Sequence, residues 1–215
     1  FDGMTQWIAD NREALDIRFV FHTGDVVGSW SSEDQWRQAR ESMGILSSAS
    51  IPFLAACGNH DIGYRMNYAN FLKYVLSLRP ASMSQEYGDT GSRYELFSAN
   101  GRDYIFMGIA FSNKGPSEDE VNWINGVLRQ YSSRDAIIIT HSYLKKSADY
   151  TTQGKAIFEK IVKANPNVFL VLCGHCRDIS YKNVQLDDDG DGDLDRTVYA
   201  ILSLSLIHIS EPTRQ

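Results

Sequence analysis

The sequence has little of what marks the specialised classes of protein. It contains only three cysteines in 215 residues, an odd number that does not make a disulfide framework. No apolar run approaches the length needed to cross a bilayer. No basic patch is present, so duplex nucleic acid is not an expected partner. The remaining composition, 43% hydrophobic and 22% charged, is that of a globular chain that can build one sizeable core.

The negative charge is concentrated in one segment. Six aspartates lie within residues 187–195 and account for the whole net charge of -6. The segment matches the start of an EF-hand-like calcium loop at five positions: Asp187, Asp189, Asp191, Gly192 and Leu194. However, the twelfth position is Val198 rather than Glu, and strand-like patterns flank the segment. Two alternatives remain open: weak calcium binding at Asp187, Asp189 and Asp191, or a solvated acidic hairpin turn, which the flanking strands favour.

Hydrophobic patterning predicts alternating strands and helices. The predicted strands are Ile17–His22, Ile51–Cys57, Tyr94–Ser98, Tyr104–Phe111, Ala136–Thr140, Val168–Cys173, Ile179–Leu186 and Arg196–Leu202. The predicted helices cover about 2–15, 33–47, 68–76, 118–131 and 156–164, and Pro80–Ser92 is predicted to be a loop. Met4, Trp7, Ile8 and Leu15 fall on one face of the first helix, which is therefore predicted to be amphipathic. This order predicts a single α/β domain over residues 1–203.

Side chains that can bind metal or move protons follow four of these strands. Asp25 follows the first, Asn59 and His60 follow the second, and His141 and His175 follow two later strands. In open α/β sheets, reactive groups gather at the carboxyl ends of strands. We therefore expect these five side chains to converge. A histidine at a strand end is by itself more often a loop residue than a ligand, so His22 is left out of the site.

Together these strand ends resemble the calcineurin-like metallophosphoesterases. The matching segments are Gly24-Asp25, Gly58-Asn59-His60-Asp61, Thr140-His141-Ser142 and Gly174-His175. The order and spacing match over nearly the whole chain, to about Ser203. The resemblance implies a four-layer αββα sandwich of two mixed sheets. It also implies hydrolysis of phosphomonoesters or phosphodiesters by a hydroxide that two metal ions activate.

The resemblance also implies roles for individual residues. Asp25 would bridge the two ions, and Asn59, His141 and His175 would complete the second metal site. Oxygen and imidazole ligands together suit Mn, Fe, Zn or Co rather than a pure Ca or Mg cage.

Three further residues are expected to act on the substrate or to orient a group that does. His60 would contact the phosphate or protonate the leaving oxygen, and Asp61 would hold the imidazole in one tautomer. The family's last motif is Gly-His-x-His, whereas this chain has Gly174-His175-Cys176-Arg177. Arg177 cannot bind a cation, but it could bind a phosphate.

Both ends of the sequence depart from the family's pattern. The chain begins at Phe1 inside a helical pattern, so the family's first strand and its Asp-x-His motif, which serve the first metal site, are expected to be missing. Met4, Trp7 and Ile8 are expected to pack against that strand. Residues 204–215 resemble a translated sequencing-library transposon end and are expected to be a non-native tail, which excludes His208 from the site.

The family and the Asp-rich segment together suggest a secreted or cell-surface bacterial protein. The alternatives to an enzyme are a non-catalytic homologue that keeps the fold as a binding module, or a fragment with one metal site and little activity.

Overall fold

A computed structural model describes residues 2–78 and 84–203. The helices are α1 (Asp2–Asp10), α2 (Glu33–Ser48), α3 (Ala69–Tyr74), α4 (Glu118–Gln130) and α5 (Thr152–Ile157). The strands are β1 (Val20–His22), β2 (Phe53–Ala55), β3 (Ser84–Glu86), β4 (Arg93–Ala99), β5 (Arg102–Ile109), β6 (Asp135–Thr140), β7 (Val168–Cys173), β8 (Ile179–Leu186) and β9 (Arg196–Ser203). Short 3₁₀ turns cover Asn59–Asp61 and Leu76–Leu78, and a π-helical turn, Phe158–Val162, continues α5.

The strands form two sheets that pack face to face. β1 and β2 pair in parallel, and the other seven strands form a mixed sheet in the order β3-β4-β5-β6-β7-β9-β8. Leu54 of the small sheet and Phe106, Ile137 and Ile139 of the large sheet form the buried layer between them.

Helices cover the two outer faces. Trp36 and Met43 of α2 pack with Phe53 of the small sheet, while Ile124 of α4 and Ile157 of α5 pack with the strands of the large sheet. The layers therefore run helix, sheet, sheet, helix, which confirms the predicted fold class.

Local sequence explains where several elements begin and turn. The hydroxyls of Ser32 and Ser117 accept hydrogen bonds from the backbone N–H groups of Gln35 and Glu120, at 3.4 and 3.2 Å, and so cap α2 and α4. Asn100 and Gly101 have φ values of 51° and 74°. Both therefore adopt the left-handed conformation that a two-residue hairpin turn between β4 and β5 requires.

Some sequence expectations were wrong in detail. Strand β3 lies inside the predicted loop Pro80–Ser92, where pairing with β4 imposes an extended backbone. Helix α1 ends at Asp10, and its buried residue is Thr5. On the predicted apolar face, the side chains of Met4, Trp7 and Leu15 are 51%, 55% and 57% exposed, and Ile8 packs against the core.

Two further findings concern membrane spans and the C-terminal residues. No helix within the described residues has both the length and the apolar character needed to span a membrane. Residues 204–215, the expected tail, lie outside the described residues.

Candidate metal centre

Four ligand-type atoms from four separate loops lie against one another. Oδ2 of Asp25 lies 3.2 Å from Nε2 of His141, and Oδ1 of Asn59 lies 3.1 Å from the same nitrogen. Nδ1 of His175 lies 2.9 Å from Oδ1 of Asn59 and 3.1 Å from Nε2 of His141. The structure thus brings together all four residues that the sequence singled out as metal ligands.

The arrangement of protons in this cluster suits a cation. Nδ1 of His141 lies 2.8 Å from the carbonyl oxygen of Thr23. That oxygen can only accept, so Nδ1 carries the proton and Nε2 presents a lone pair. The lone pair faces oxygens of Asp25 and Asn59, which also offer electron pairs. Ligands that share one transition-metal ion at about 2.1 Å lie about 3 Å from one another, so these residues fit such an ion.

Asp25 is held by the loop that carries Asn59. Its Oδ1 accepts a 3.0 Å hydrogen bond from the backbone N–H of His60, which leaves Oδ2 for the cluster. Burial alone would raise the pKa of the Asp25 carboxyl, but the neighbouring His141 and the backbone N–H of His60 lower that pKa below its usual value. Asp25 is therefore ionised near neutral pH, as a metal ligand must be.

The two histidines of the cluster differ in exposure. His141 is fully buried, whereas His175 is exposed. Partial burial, followed by the neighbouring His141, lowers the pKa of His175, which keeps its ring neutral. The ring of Phe111 lies 6.1 Å from the His141 ring and 5.9 Å from the His175 ring, centroid to centroid. Phe111 therefore forms an apolar wall beside the ligand atoms, a contact that the sequence did not predict.

His22 lies behind the cluster rather than in it. Its Nδ1 accepts a 3.2 Å hydrogen bond from the backbone N–H of Gly24, in the turn that leads to Asp25. Burial, followed by the neighbouring His141, lowers the pKa of His22 to about 4. A neutral His22 thus supports the turn that presents Asp25.

Glycines allow the ligand loops to approach each other. A Cβ atom on Gly58 would lie 2.2 Å from Oδ1 of Asp25, and one on Gly24 would lie 2.6 Å from Nδ1 of His141. Any larger residue would push the loops apart, because real Cβ atoms do not come so close to other heavy atoms. This contact explains why each of these ligand-bearing loops contains a glycine.

The structure places His60 and Asp61 differently from the sequence expectation. Nδ1 of His60 lies 2.8 Å from the carbonyl oxygen of Gly28, so that carbonyl, rather than Asp61, orients the imidazole. The buried Asp61 accepts hydrogen bonds from the backbone N–H groups of Val27, at 3.0 Å, and Gly58, at 2.8 Å. The 3₁₀ turn directs the Asp61 side chain inward, and the expected contact between Asp61 and the His60 ring is therefore wrong.

Asp61 consequently joins the two ligand loops. One carboxylate reaches the segment after Asp25 and the glycine before Asn59. Burial raises the pKa of Asp61 to about 7, although the two backbone hydrogen bonds lower it.

Arg177 stands apart from the ligand cluster. Its side chain is exposed, and it makes no hydrogen bond or ion pair with the described part of the chain. The geometry neither joins it to the cluster nor gives it another task, so its predicted contact with phosphate stays a prediction.

The Asp-rich segment forms the turn between β8 and β9. Its carboxylates bond to their own loop: Asp187 accepts hydrogen bonds from the backbone N–H groups of Gly190, at 2.6 Å, and Gly192, at 2.9 Å. Asp187 and Asp189 do lie together, but the third member of their group is Asp195 rather than the predicted Asp191, and all three are exposed. The Asp191 carboxylate instead accepts a 2.8 Å hydrogen bond from the N–H of Asp193. The predicted trio of calcium ligands is therefore not assembled.

The four-layer fold and the cluster of ligand atoms define a protein with a candidate metal site, and the comparisons with known proteins give its family. The family model described as calcineurin-like phosphoesterase matches residues 1–176. The chain belongs to this family, which confirms the resemblance inferred from the strand ends.

Two kinds of relative resemble the chain. It is 40% identical over 207 residues to the uncharacterized protein YvnB of Bacillus subtilis strain 168; the match covers 94% of this chain but only 16% of that protein. Among solved structures, a dimetal phosphatase from Danio rerio superposes with a TM-score of 0.64 at 15% identity, covering 94% of this chain and 76% of that one. The protein TT1561 of Thermus thermophilus superposes with a TM-score of 0.55 at 12% identity, covering 92% of this chain and 81% of that one. At these identities the structural likeness establishes the fold.

Proposed function

We propose that this chain carries the active site of a metal-dependent phosphoesterase, acting on phosphomonoesters or phosphodiesters. The observation that carries the proposal is the cluster of Asp25, Asn59, His141 and His175, in which neighbouring ligand atoms lie 2.9–3.2 Å apart. Membership of the calcineurin-like phosphoesterase family supports the reaction class.

The metal ions are proposed to be Mn, Fe, Zn or Co. The donors are a carboxylate, an amide oxygen and two imidazoles, a set that suits these ions. The name of the Danio rerio structure, a dimetal phosphatase, supports two ions in the full-length protein, in which Asp25 would hold both. When bound, such ions neutralise phosphate charge and lower the pKa of water.

The chain's own residues would donate a proton, orient the ligands, limit the access of water and contact the phosphate. The Gly28 carbonyl accepts a hydrogen bond from Nδ1 of His60 at 2.8 Å, which aims Nε2 away from the Gly28 loop. In the imidazolium form Nε2 also carries a proton, which it would donate to a phosphate oxygen or to the leaving oxygen, leaving a neutral ring. The backbone N–H of His60 fixes Asp25. Phe111 limits the approach of water on one side of the histidines. Arg177 follows His175 by two residues and its side chain is exposed. We assign it a contact with the substrate phosphate.

The test is turnover of an aryl phosphate, measured together with metal content, in the wild type and in His60→Ala. General acid catalysis typically contributes 10²–10⁴-fold, so we expect His60→Ala to lower kcat by about that factor. Elemental analysis should find the metal content unchanged, because the His60 ring makes none of the contacts within the ligand cluster.

A matched variant and two contrary outcomes complete the design. Lys114→Ala, which removes an exposed side chain outside the ligand loops, should change neither quantity. Equal loss of metal and turnover in His60→Ala would make His60 a ligand. A wild type that binds metal but hydrolyses neither an aryl phosphate nor a bis-aryl phosphate would favour the non-catalytic binding module.

A further inference from the structure

A cleft of about 360 Å³ opens beside the ligand cluster. Its described lining consists of Asn59, Ile62, Gly63, Arg65, Met66, Phe111 and Asn113. The cleft shares Asn59 with the cluster, and its Phe111 packs against both histidines. A substrate whose phosphate reached the cluster would therefore place its alcohol part along this cleft.

One wall of the cleft is a turn with an unusual backbone. Arg65 and Met66 both have positive φ values, 58° and 60°, in the left-handed region that side-chain-bearing residues rarely occupy. The turn is closed by backbone hydrogen bonds in both directions between Gly63 and Asn67, at 2.8 and 3.4 Å. Such strain persists where the surrounding structure fixes the conformation, and it concentrates at functional sites.

The side chain of Trp30 packs against this turn. Its ring lies so close to Gly63 that a Cβ there would be 3.1 Å from Cε3 of the indole. The rings of Trp30 and Tyr64 meet edge to face at 6.0 Å. The Trp30 carbonyl in turn accepts hydrogen bonds from the side chains of Trp36, at 2.8 Å, and Asn70, at 3.1 Å. The turn is therefore supported by contacts with Trp30 as well as by its own backbone hydrogen bonds.

Arg65 is the charged residue that this turn presents. The other six described residues that line the cleft are uncharged. The Arg65 side chain is exposed and forms no ion pair or hydrogen bond within residues 2–78 and 84–203. A guanidinium with unused donors binds carboxylates and phosphates in a planar, two-pronged geometry. Nearby Ile62, Met66 and Phe111 supply apolar surface for the part of a ligand between the two anionic ends.

We propose that Arg65 is a specificity-determining residue that binds a second anionic group on the alcohol part of the substrate. The inference rests on the proposed phosphoesterase function and names its substrate class. The substrates are phosphate esters whose alcohol carries an apolar, planar portion and a further carboxylate or phosphate. The cleaved phosphate lies at the ligand cluster, the planar portion lies beside Phe111, and the second anion pairs with Arg65.

The test compares phenyl phosphate with 3-carboxyphenyl and 4-carboxyphenyl phosphate. These esters share a ring and a scissile phosphate and differ by one carboxylate. In Arg65→Gln, kcat/KM for at least one carboxylated ester should fall about tenfold, mostly through KM, because a hydrogen bond to a charged group is lost. Phenyl phosphate should stay within about twofold. Arg65→Lys keeps the charge and should retain part of the preference, while Arg129→Gln, which removes an exposed arginine in the last turn of α4, should change nothing.

Calorimetric binding of the matching phosphonates, phenylphosphonate and the two carboxyphenylphosphonates, gives a readout that does not depend on turnover. The affinity difference between the plain and carboxylated compounds should shrink in Arg65→Gln. An equal loss for all compounds would overturn the proposal, because Arg65 would then act on the cleaved phosphate. Unchanged affinities would overturn it as well. If the wild type hydrolyses none of the three esters and no bis-aryl phosphate, the proposed function fails, and the phosphonate affinities still decide whether Arg65 recognises the second anion.

Discussion

The ligand cluster and the Asp-rich turn both gather metal-binding side chains, but they do so in opposite ways. The cluster joins residues as far apart as Asp25 and His175, and their ligand atoms point at one another. In the turn, all the carboxylates come from one short segment, and four of the six accept hydrogen bonds from the backbone of that segment. Asp187 accepts two N–H groups of its loop, and Asp188 pairs with Arg196 at 2.7 Å.

The cluster is therefore preorganised to bind a cation, whereas most carboxylates of the turn already have hydrogen-bond donors within their own loop. In the cluster, Nε2 of His141, Oδ1 of Asn59 and Oδ2 of Asp25 point at one another rather than at backbone N–H groups, so a cation can bind there without displacing a hydrogen bond to the backbone. In the turn, an ion would have to displace hydrogen bonds that already exist. The number of acidic residues is therefore a poorer guide to a metal site than the direction in which the donors point.

The largest expected effect is the loss of the transition metal from the cluster. Replacing an outer-shell partner of a metal ligand costs 10–100-fold in affinity, so removing a ligand in His141→Ala should weaken Mn or Zn binding by more than about 100-fold. Asp25→Asn, which preserves volume, should also weaken it strongly. Asp189→Asn in the exposed turn is the matched change and should leave metal content unchanged.

The measurement is elemental analysis after dialysis, with circular dichroism to verify folding. If Asp189→Asn removed as much transition metal as His141→Ala, the distinction between the two regions would be lost.

The sequence predicts those parts of the structure that local patterns determine. Strands Val168–Cys173 and Ile179–Leu186 form over the predicted residues, because turn-forming residues bound each run. The first strand was predicted over Ile17–His22 but covers only Val20–His22, because pairing with β2 sets its length.

In the site, too, local sequence patterns predict some features and tertiary contacts determine the others. The sequence predicts the four clustered ligands because each follows a strand. The Thr23 and Gly28 carbonyls that orient His141 and His60 could not be predicted, because any residue has a carbonyl. The inward direction of Asp61 also depends on a backbone turn that no side-chain pattern encodes.

A smaller effect should distinguish the glycines of the two regions. In Gly58→Ala, the new methyl would meet Asp25 at 2.2 Å, so the loops must separate, at a cost of about 1–3 kcal/mol in the free energy of unfolding, and metal affinity should fall. Gly190 has a φ of 81° and nothing within 4 Å of its added Cβ. Gly190→Ala should therefore cost about 1 kcal/mol through backbone strain and leave metal affinity unchanged.

Urea unfolding in the presence of a chelator gives the first quantity, and titration with Mn or Zn gives the second. Equal weakening of metal binding by both substitutions would contradict the close approach of the two ligand loops as the reason for Gly58.

The smallest expected effect is that of calcium on the Asp-rich turn. The carboxylates of Asp187 and Asp195 already accept backbone N–H groups, and the group of Asp187, Asp189 and Asp195 is exposed, so binding should be at the weak end of the range for calcium modules, with a Kd of about 1 mM. At 1 mM calcium, such a site adds about 0.4 kcal/mol to the free energy of unfolding, or about 1 °C in Tm for a chain of this size. Differential scanning fluorimetry in calcium, with magnesium as the control, measures this shift. A rise above about 5 °C that disappears in Asp187→Asn would show that the turn reorganises around the ion, and the contrast between the two regions would then hold only without calcium.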